Sequence, residues 1–194
     1  MTALELGAPL VALDFDGCIR PLREARPDDI RVDCLYRADE YPDMFHRKPE
    51  WSRKGQSKAT VYLSRVAVEW ARSLVDRGID TGWATTWQRW ANMYFGEALG
   101  FTLPVLVDTE RTTIASRSAE WKAAQLTTVG SGRPVLWIDD NPPWTDRTGL
   151  FNAPGFRFLM PDYSRGIDEE IITLAEEWLA EHGAPPRQPT MMTS

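Results

Sequence analysis

The feature that most constrains this chain is a series of short apolar runs, each stopping at a polar or acidic residue. Residues 10–13 stop at Asp14, residues 79–84 at Thr85 and Thr86, and residues 103–107 at Asp108. Residues 135–138 stop at Asp139 and Asp140, and residues 156–160 at Pro161 and Asp162. Runs this short, bounded by turn formers, read as buried strands. Between them lie segments with helical spacing. Residues 61–75 place Leu63, Val66, Ala67, Trp70, Ala71 and Leu74 at steps of three and four. Residues 87–99, 118–126 and 167–180 repeat the pattern. Apolar stripes of that period belong to helices with one face on a core. Strands alternating with helices predict an α/β fold, with a central parallel sheet covered by helices on both faces.

A chain of 194 residues suits one domain and a small insert, and can bury a core without disulfides or a structural metal. Its two cysteines, Cys18 and Cys34, lack the spacing of a zinc site or a secreted disulfide framework. The first residues lack a basic leader, and no apolar run approaches a membrane span, so the expected setting is cytoplasmic. The net charge is −6, which argues against a protein that coats nucleic acid through a broad basic surface. One stretch runs the other way: residues 46–58 hold Arg47, Lys48, Arg53, Lys54 and Lys58 against Glu50.

That stretch lies in a segment that breaks the alternation. Residues 18–60 are rich in charge, proline and aromatics, with strand character at 30–36 and 60–63. A structureless loop of that length is uncommon inside a compact domain, so the segment reads as a small cap inserted after the first strand. The core is then 1–17 and 61–182. The tail from Gly183, rich in proline and polar residues, reads as disordered.

In an open parallel sheet ligands bind at the carboxyl ends of the strands. The polar residues there are Asp14, Asp16, Thr85, Thr86, Asp139 and Asp140, with Lys122 on the helix leading to the last acidic pair. Four carboxylates gathered in one crevice call for a cation. Mg²⁺, a hard ion taking oxygen ligands, is the natural choice, because the only histidines, His46 and His182, are not at strand ends.

This arrangement resembles the haloacid dehalogenase (HAD) superfamily of phosphohydrolases. The first motif of that family, DxDG after an apolar strand, matches Asp14, Asp16 and Gly17. The second, a hydroxyl residue closing a strand, matches Thr85, with Thr86 as its neighbour. A helix lysine matches Lys122, and an acidic pair after a strand matches Asp139 and Asp140. More narrowly, WATTW followed by Asn92, and the later WIDDNP, look like the HAD domains of predicted RNA-repair systems in actinobacteria and their phages.

The resemblance implies a Rossmann-like three-layer sandwich and a Mg²⁺-dependent phosphomonoester hydrolase. Asp14 would be the nucleophile and Asp16 the proton donor and acceptor. Thr85 and the Thr86 amide would bind phosphoryl oxygens, and Lys122 would offset charge. Asp14, the backbone carbonyl of Asp16, Asp139 and, directly or through water, Asp140 would hold the metal. Arg53, Lys54 and Lys58 would suit a phosphate chain, which admits a nucleic-acid end as substrate. Trp51 in that stretch could stack on a base, whereas the other tryptophans named by position (Trp83, Trp87, Trp90 and Trp137) read as core.

Two other classes compete. A phosphoacceptor signalling domain also uses acids, a threonine and a lysine around Mg²⁺, but in a different order along the chain. A non-catalytic phosphate- or nucleic-acid-binding module would need only the basic stretch. A dinucleotide-binding enzyme is disfavoured, since no GxGxxG follows the first strand.

Overall fold

The structure, a computed structural model, describes residues 7–40, 50–108, 119–143 and 148–187. In chain order the first elements are β1 (Leu10–Leu13), β2 (Ile30–Arg37), β3 (Gln56–Leu63), α1 (Arg65–Asp76) and β4 (Asp80–Trp83). Then follow α2 (Arg89–Leu99), α3 (Ala119–Val129), β5 (Val135–Ile138), β6 (Phe156–Leu159) and α4 (Glu169–Glu181). The central sheet is parallel, in the order β4-β1-β5-β6.

β1 and β5 are buried at every position, as inner strands of a sheet covered on both faces must be. Successive side chains on a strand point to opposite faces, and this sorts the core into two layers. Val11 and Leu13 join Trp70 of α1, Phe95 of α2 and Trp178 of α4. Ala12 and Trp137 join Trp121 and Leu126 of α3 on the other face. Aromatic rings thicken the first layer: Phe15 stacks on Phe95 at 4.5 Å between centroids and meets Trp83 edge-on at 5.9 Å.

Four of the five strand readings hold. The fifth, residues 103–107, is not a strand but a single parallel bridge, Trp83 to Val105. The Trp83 amide donates to the Pro104 carbonyl at 2.8 Å, and the Leu106 amide donates to the Trp83 carbonyl at 2.9 Å. Pro104 has no N–H with which to extend that ladder, so pairing stops after one residue. Asn92 braces the segment instead, accepting from the Trp83 indole and the Leu103 amide and donating to the Leu103 carbonyl.

The helix expected over 61–75 begins only at Arg65, because residues 60–63 belong to β3. Ser64 caps it, its side chain accepting from the Ala67 amide. Asp168 caps α4 in the same way, accepting from the amides of Glu170 and Ile171. The start expected for the third helix, Ser118, lies outside the described residues.

Within 18–60 the described residues form an antiparallel hairpin, β2 with β3, in register from Ile30 opposite Leu63 to Arg37 opposite Gln56. Its alternation is amphipathic. Cys34, Tyr36, Val61 and Leu63 are buried in the main core, while Arg31, Asp33, Leu35, Arg37, Lys58 and Thr60 face outward. The hairpin is therefore anchored to the core and does not have one of its own. Its second strand also extends past residue 60, the expected edge of the insert. The described part of the tail, through residue 187, is tied down: the Ala184 amide donates to the Leu179 carbonyl at 3.0 Å, and Arg77 Nε donates to the Pro185 carbonyl at 2.8 Å. Among the described residues no helix is long and apolar enough to cross a membrane.

The loop leading into β2 is fastened by Asp29, whose oxygens accept from both terminal nitrogens of Arg23, at 2.7 and 2.9 Å, and from the Arg26 amide at 2.7 Å. Burial pushes the Asp29 carboxyl up, but these hydrogen bonds and the two arginine charges outweigh it and hold the group below the ordinary carboxylate range. A carboxyl depressed in the folded state adds stability above its unfolded value, and that stability is lost as pH falls through the folded one. Urea melts across pH are therefore expected to show the wild type more stable than Asp29→Asn at neutral pH, with the gap closing in acid.

Candidate active site

The parallel register brings the acids together. Leu13 pairs with both Trp83 and Ile138, so the next residues along, Asp14 and Asp139, leave neighbouring strands at the same level. The Asp14 amide donates to the Ile138 carbonyl at 2.9 Å, and the Ala84 amide to the Leu13 carbonyl at 2.8 Å, which places Thr85 on the other side of β1.

Lys122 comes in from α3. It is only 5% exposed, unlike the usual solvated helix lysine. Its Nζ lies 2.7 Å from Asp139 Oδ2 and 3.1 Å from Asp14 Oδ1. Burial alone would favour the neutral amine, but the charges and hydrogen bonds of Asp139 and Asp14 prevail, and the ammonium is held above its ordinary value. Burial also pushes the Asp139 carboxyl upward, reinforced by the Asp14 charge and opposed by Lys122 and the Asn141 amide. With carboxylate oxygens of two residues on one ammonium, the proton stays on nitrogen.

The acidic pair divides its work. Asp139 is wholly buried, and both of its oxygens are engaged: Oδ2 accepts from Lys122 and from the Trp137 indole at 3.2 Å, and Oδ1 accepts from the Asn141 amide at 3.0 Å. Its position is that of an anchor for Lys122. Asp140, half-buried, turns toward Asp14. Burial, then the Asp14 charge, lift its carboxyl to about 6. Oxygens of Asp14 and Asp140 and the sulfur of Cys18 all lie within 4.8 Å of one another. Of the expected metal set, the structure thus brings Asp14 and Asp140 together, while Asp139 is committed to the lysine.

Asp16 points elsewhere. Its Oδ1 accepts from Arg20 at 3.0 Å and its Oδ2 from the Trp87 indole at 2.9 Å. Burial raises its carboxyl in spite of the Arg20 charge and the indole hydrogen bond. Gly17 follows with φ +70°, a conformation L side chains avoid, and a Cβ there would sit 2.3 Å from the Asp140 carboxylate. The sharp turn and the acid pocket both require glycine at this position.

Thr85 is fully buried, and its hydroxyl oxygen accepts from the Trp87 amide at 3.3 Å, so it also braces the turn into α2. Thr86 is partly exposed beside it. Gln88, the one non-glycine residue with positive φ among the described residues, follows at φ 48°. Backbone in that region carries strain and collects at functional turns.

The basic residues lie on the hairpin. Arg53, Lys54 and Lys58 are exposed, and Lys58 lines two adjoining concavities of about 430 and 490 Å³. Trp51 borders the second, is partly buried and packs against the core. Asp33 lines the first and Glu50 the second, and neither is lined by Asp14, Asp16, Asp139 or Asp140. Arg47 and Lys48 lie outside the described residues.

Sequence reasoning missed four contributors: the Trp137 and Trp87 indoles, Arg20 and Cys18. Trp137 was legible in principle, since it stands on β5 two residues before Asp139. Arg20 and Trp87 find Asp16 only through the fold. No family model matches the chain, and no curated protein or solved structure matches it either.

Removing one partner of a buried ion pair costs about 3–5 kcal/mol, because the remaining charge is stranded. Lys122→Met is expected to lose stability of that order in urea melts, with Lys122→Met/Asp139→Asn recovering part of it.

Proposed function

We propose that the chain is a Mg²⁺-dependent phosphomonoester hydrolase of the HAD type, working through an aspartyl-phosphate. The observation that carries this reading is the placement of one buried ammonium between Asp14 and Asp139, with Asp140 directed at Asp14 from the next position along the chain. Two carboxylates share the lysine and a third faces Asp14, a set that suits a divalent cation with oxygen ligands. Asp14 and Asp140 would hold it, with the Asp16 backbone carbonyl as the further ligand the family resemblance implies. When bound, Mg²⁺ supplies neutralisation of phosphoryl charge.

The chain's own residues do the rest. An Asp14 oxygen attacks phosphorus as the bond to the leaving oxygen breaks. Asp16, raised toward the protonated form by burial, gives its proton to that oxygen. A water then attacks the phosphoryl group on Asp14, Asp16 takes the water's proton, and inorganic phosphate leaves with Asp14 restored. Arg20 and the Trp87 indole hold Asp16 between turnovers. Lys122 aligns Asp14 and offsets its charge, so that the barrier is lowered by positioning and charge. Thr85 and the Thr86 amide are the phosphoryl-oxygen donors of this reading.

The substrates this reading covers include a phosphorylated nucleic-acid end. Arg53, Lys54 and Lys58 would follow its phosphate chain along the outer face of the hairpin, where Lys58 borders both concavities. A comparison of 3′- and 5′-phosphorylated oligonucleotides with sugar phosphates tests this, with neutralisation of the three cations expected to raise KM for the oligonucleotides alone.

The mechanism is tested with an aryl phosphate. Hydrolysis is expected to require Mg²⁺, to stop with EDTA, to vanish in Asp14→Asn and to fall about 10²–10⁴-fold in Asp16→Asn. Activity surviving EDTA or Asp14→Asn would refute it. Stable phosphorylation by a small phosphodonor without turnover would favour the signalling class. Salt-dependent oligonucleotide binding, indifferent to Asp14→Asn and without turnover, would favour the binding module.

A further inference from the structure

We propose that the cation pocket of this chain includes a sulfur donor: Cys18 joins Asp14 and Asp140 in a three-donor site for a thiophilic divalent cation of the cobalt(II), zinc or cadmium class. The inference rests on reading the strand-end acids as a cation site, since two of the three donors are shared with it.

The geometry comes first. One atom from each of the three residues lies within 4.8 Å of the other two. Three donors about 2.0–2.3 Å from one ion at tetrahedral or trigonal angles are about 3.3–3.7 Å apart, so the three side chains draw together by up to about 1 Å on binding. Two of the three positions are held by backbone. The Cys18 amide donates to the Phe15 carbonyl at 3.3 Å and its carbonyl accepts from the Ile167 amide at 3.0 Å, while Asp14 is tied to β5. Gly17 leaves the space that the Asp140 carboxylate fills.

The second observation is which donors are left over. Asp14, 6% exposed, spends one oxygen on Lys122, and its other oxygen has no hydrogen-bond partner among the described residues. The Asp140 side chain forms no ion pair and bonds no other residue among the described residues. This contrasts with Asp139, whose oxygens are both engaged. Cys18 is wholly buried, and its sulfur makes only a 3.8 Å contact with the Ile138 carbonyl, a weak bond that a metal–sulfur bond outcompetes. The leftover donors are thus two carboxylate groups and a thiol facing one point.

Ligand softness then decides among ions. Mg²⁺ takes the oxygens and leaves the thiol protonated. A softer ion takes the sulfur as thiolate: the S–H bond is replaced by a metal–sulfur bond, the proton passes to water, and nothing is oxidised or reduced.

The test titrates the metal-free full chain with Co²⁺ and reads its absorption, without turnover. A sulfur-to-cobalt charge-transfer band is expected, saturating as a single site and suppressed by excess Mg²⁺. It should be absent in Cys18→Ala and in Cys18→Ser, and unchanged in Cys34→Ala. In Asp140→Asn, which keeps the thiol, affinity should fall about 10–100-fold. Far-UV circular dichroism identifies variants that remain folded, and Asp140→Asn decides the matter if both Cys18 variants unfold. Co²⁺ binding without the band, a band that survives loss of Cys18, or a band indifferent to Asp140→Asn would each overturn the proposal. A band without Mg²⁺-dependent hydrolysis would sink the enzymatic reading and leave this one standing; hydrolysis without a band would do the reverse.

Discussion

The structure turns on one buried ammonium. Parallel strands of equal register deliver Asp14 and Asp139 side by side at the end of the sheet, where two carboxylates out of water would repel each other. Lys122 bridges them at 3.1 and 2.7 Å and makes the arrangement tenable. The lysine in turn is fixed by α3, whose Trp121, Ala123 and Leu126 bury its helix against the sheet. Packing, register and charge are thus one problem here: the apolar face of α3 sets where Lys122 stands, and Lys122 ties that helix to the ends of β1 and β5.

A second set of contacts links the hairpin to the same site. Tyr36, on the buried face of β2, lies 6.4 Å from the Trp87 ring and meets Tyr94 edge-on at 4.9 Å. Trp87 packs against Phe15 and donates its indole hydrogen to Asp16. The residue between the two site acids, Phe15, is at the same time the centre of an aromatic cluster. The DxD loop is consequently held from below by rings and from the side by a hydrogen-bonded indole, so its two acids are placed by the core itself.

The parts of this molecule that were legible in the sequence are those governed by local rules. Residues 10–13 and 135–138 are continuous apolar runs because both faces of their strands are covered, and the acids following them mark the end of the sheet. The helix ending at Leu99 shows a clean apolar stripe and a stop signal. What was not legible depends on partners distant in the chain. Residues 103–107 have a strand's composition, yet one proline on the bonding side limits them to a bridge. Residues 60–63 fit a helical stripe as well as a strand, and only pairing with β2 settles the choice. The division of labour between Asp139 and Asp140 follows from which of two adjacent acids points at α3. Trp83, Trp87 and Trp137 lie in the core as their positions suggest, and Trp90 packs half-buried against it, but the indole hydrogens of Trp87 and Trp137, which bond Asp16 and Asp139, are invisible to any pattern of hydrophobicity.

The truncated pairing at Pro104 has an effect beyond the strand it abolishes. The outermost position beside β4 offers a newcomer little more than the main chain of Val105, and the opposite margin, β6, carries the exposed Arg157 at its middle. Short borders and charged borders are poor templates for another chain's backbone. A four-stranded parallel sheet of apolar segments is otherwise prone to growing by addition. Among the described residues neither margin carries a further strand, and each offers an incoming backbone a short or charged border in place of a continuous ladder.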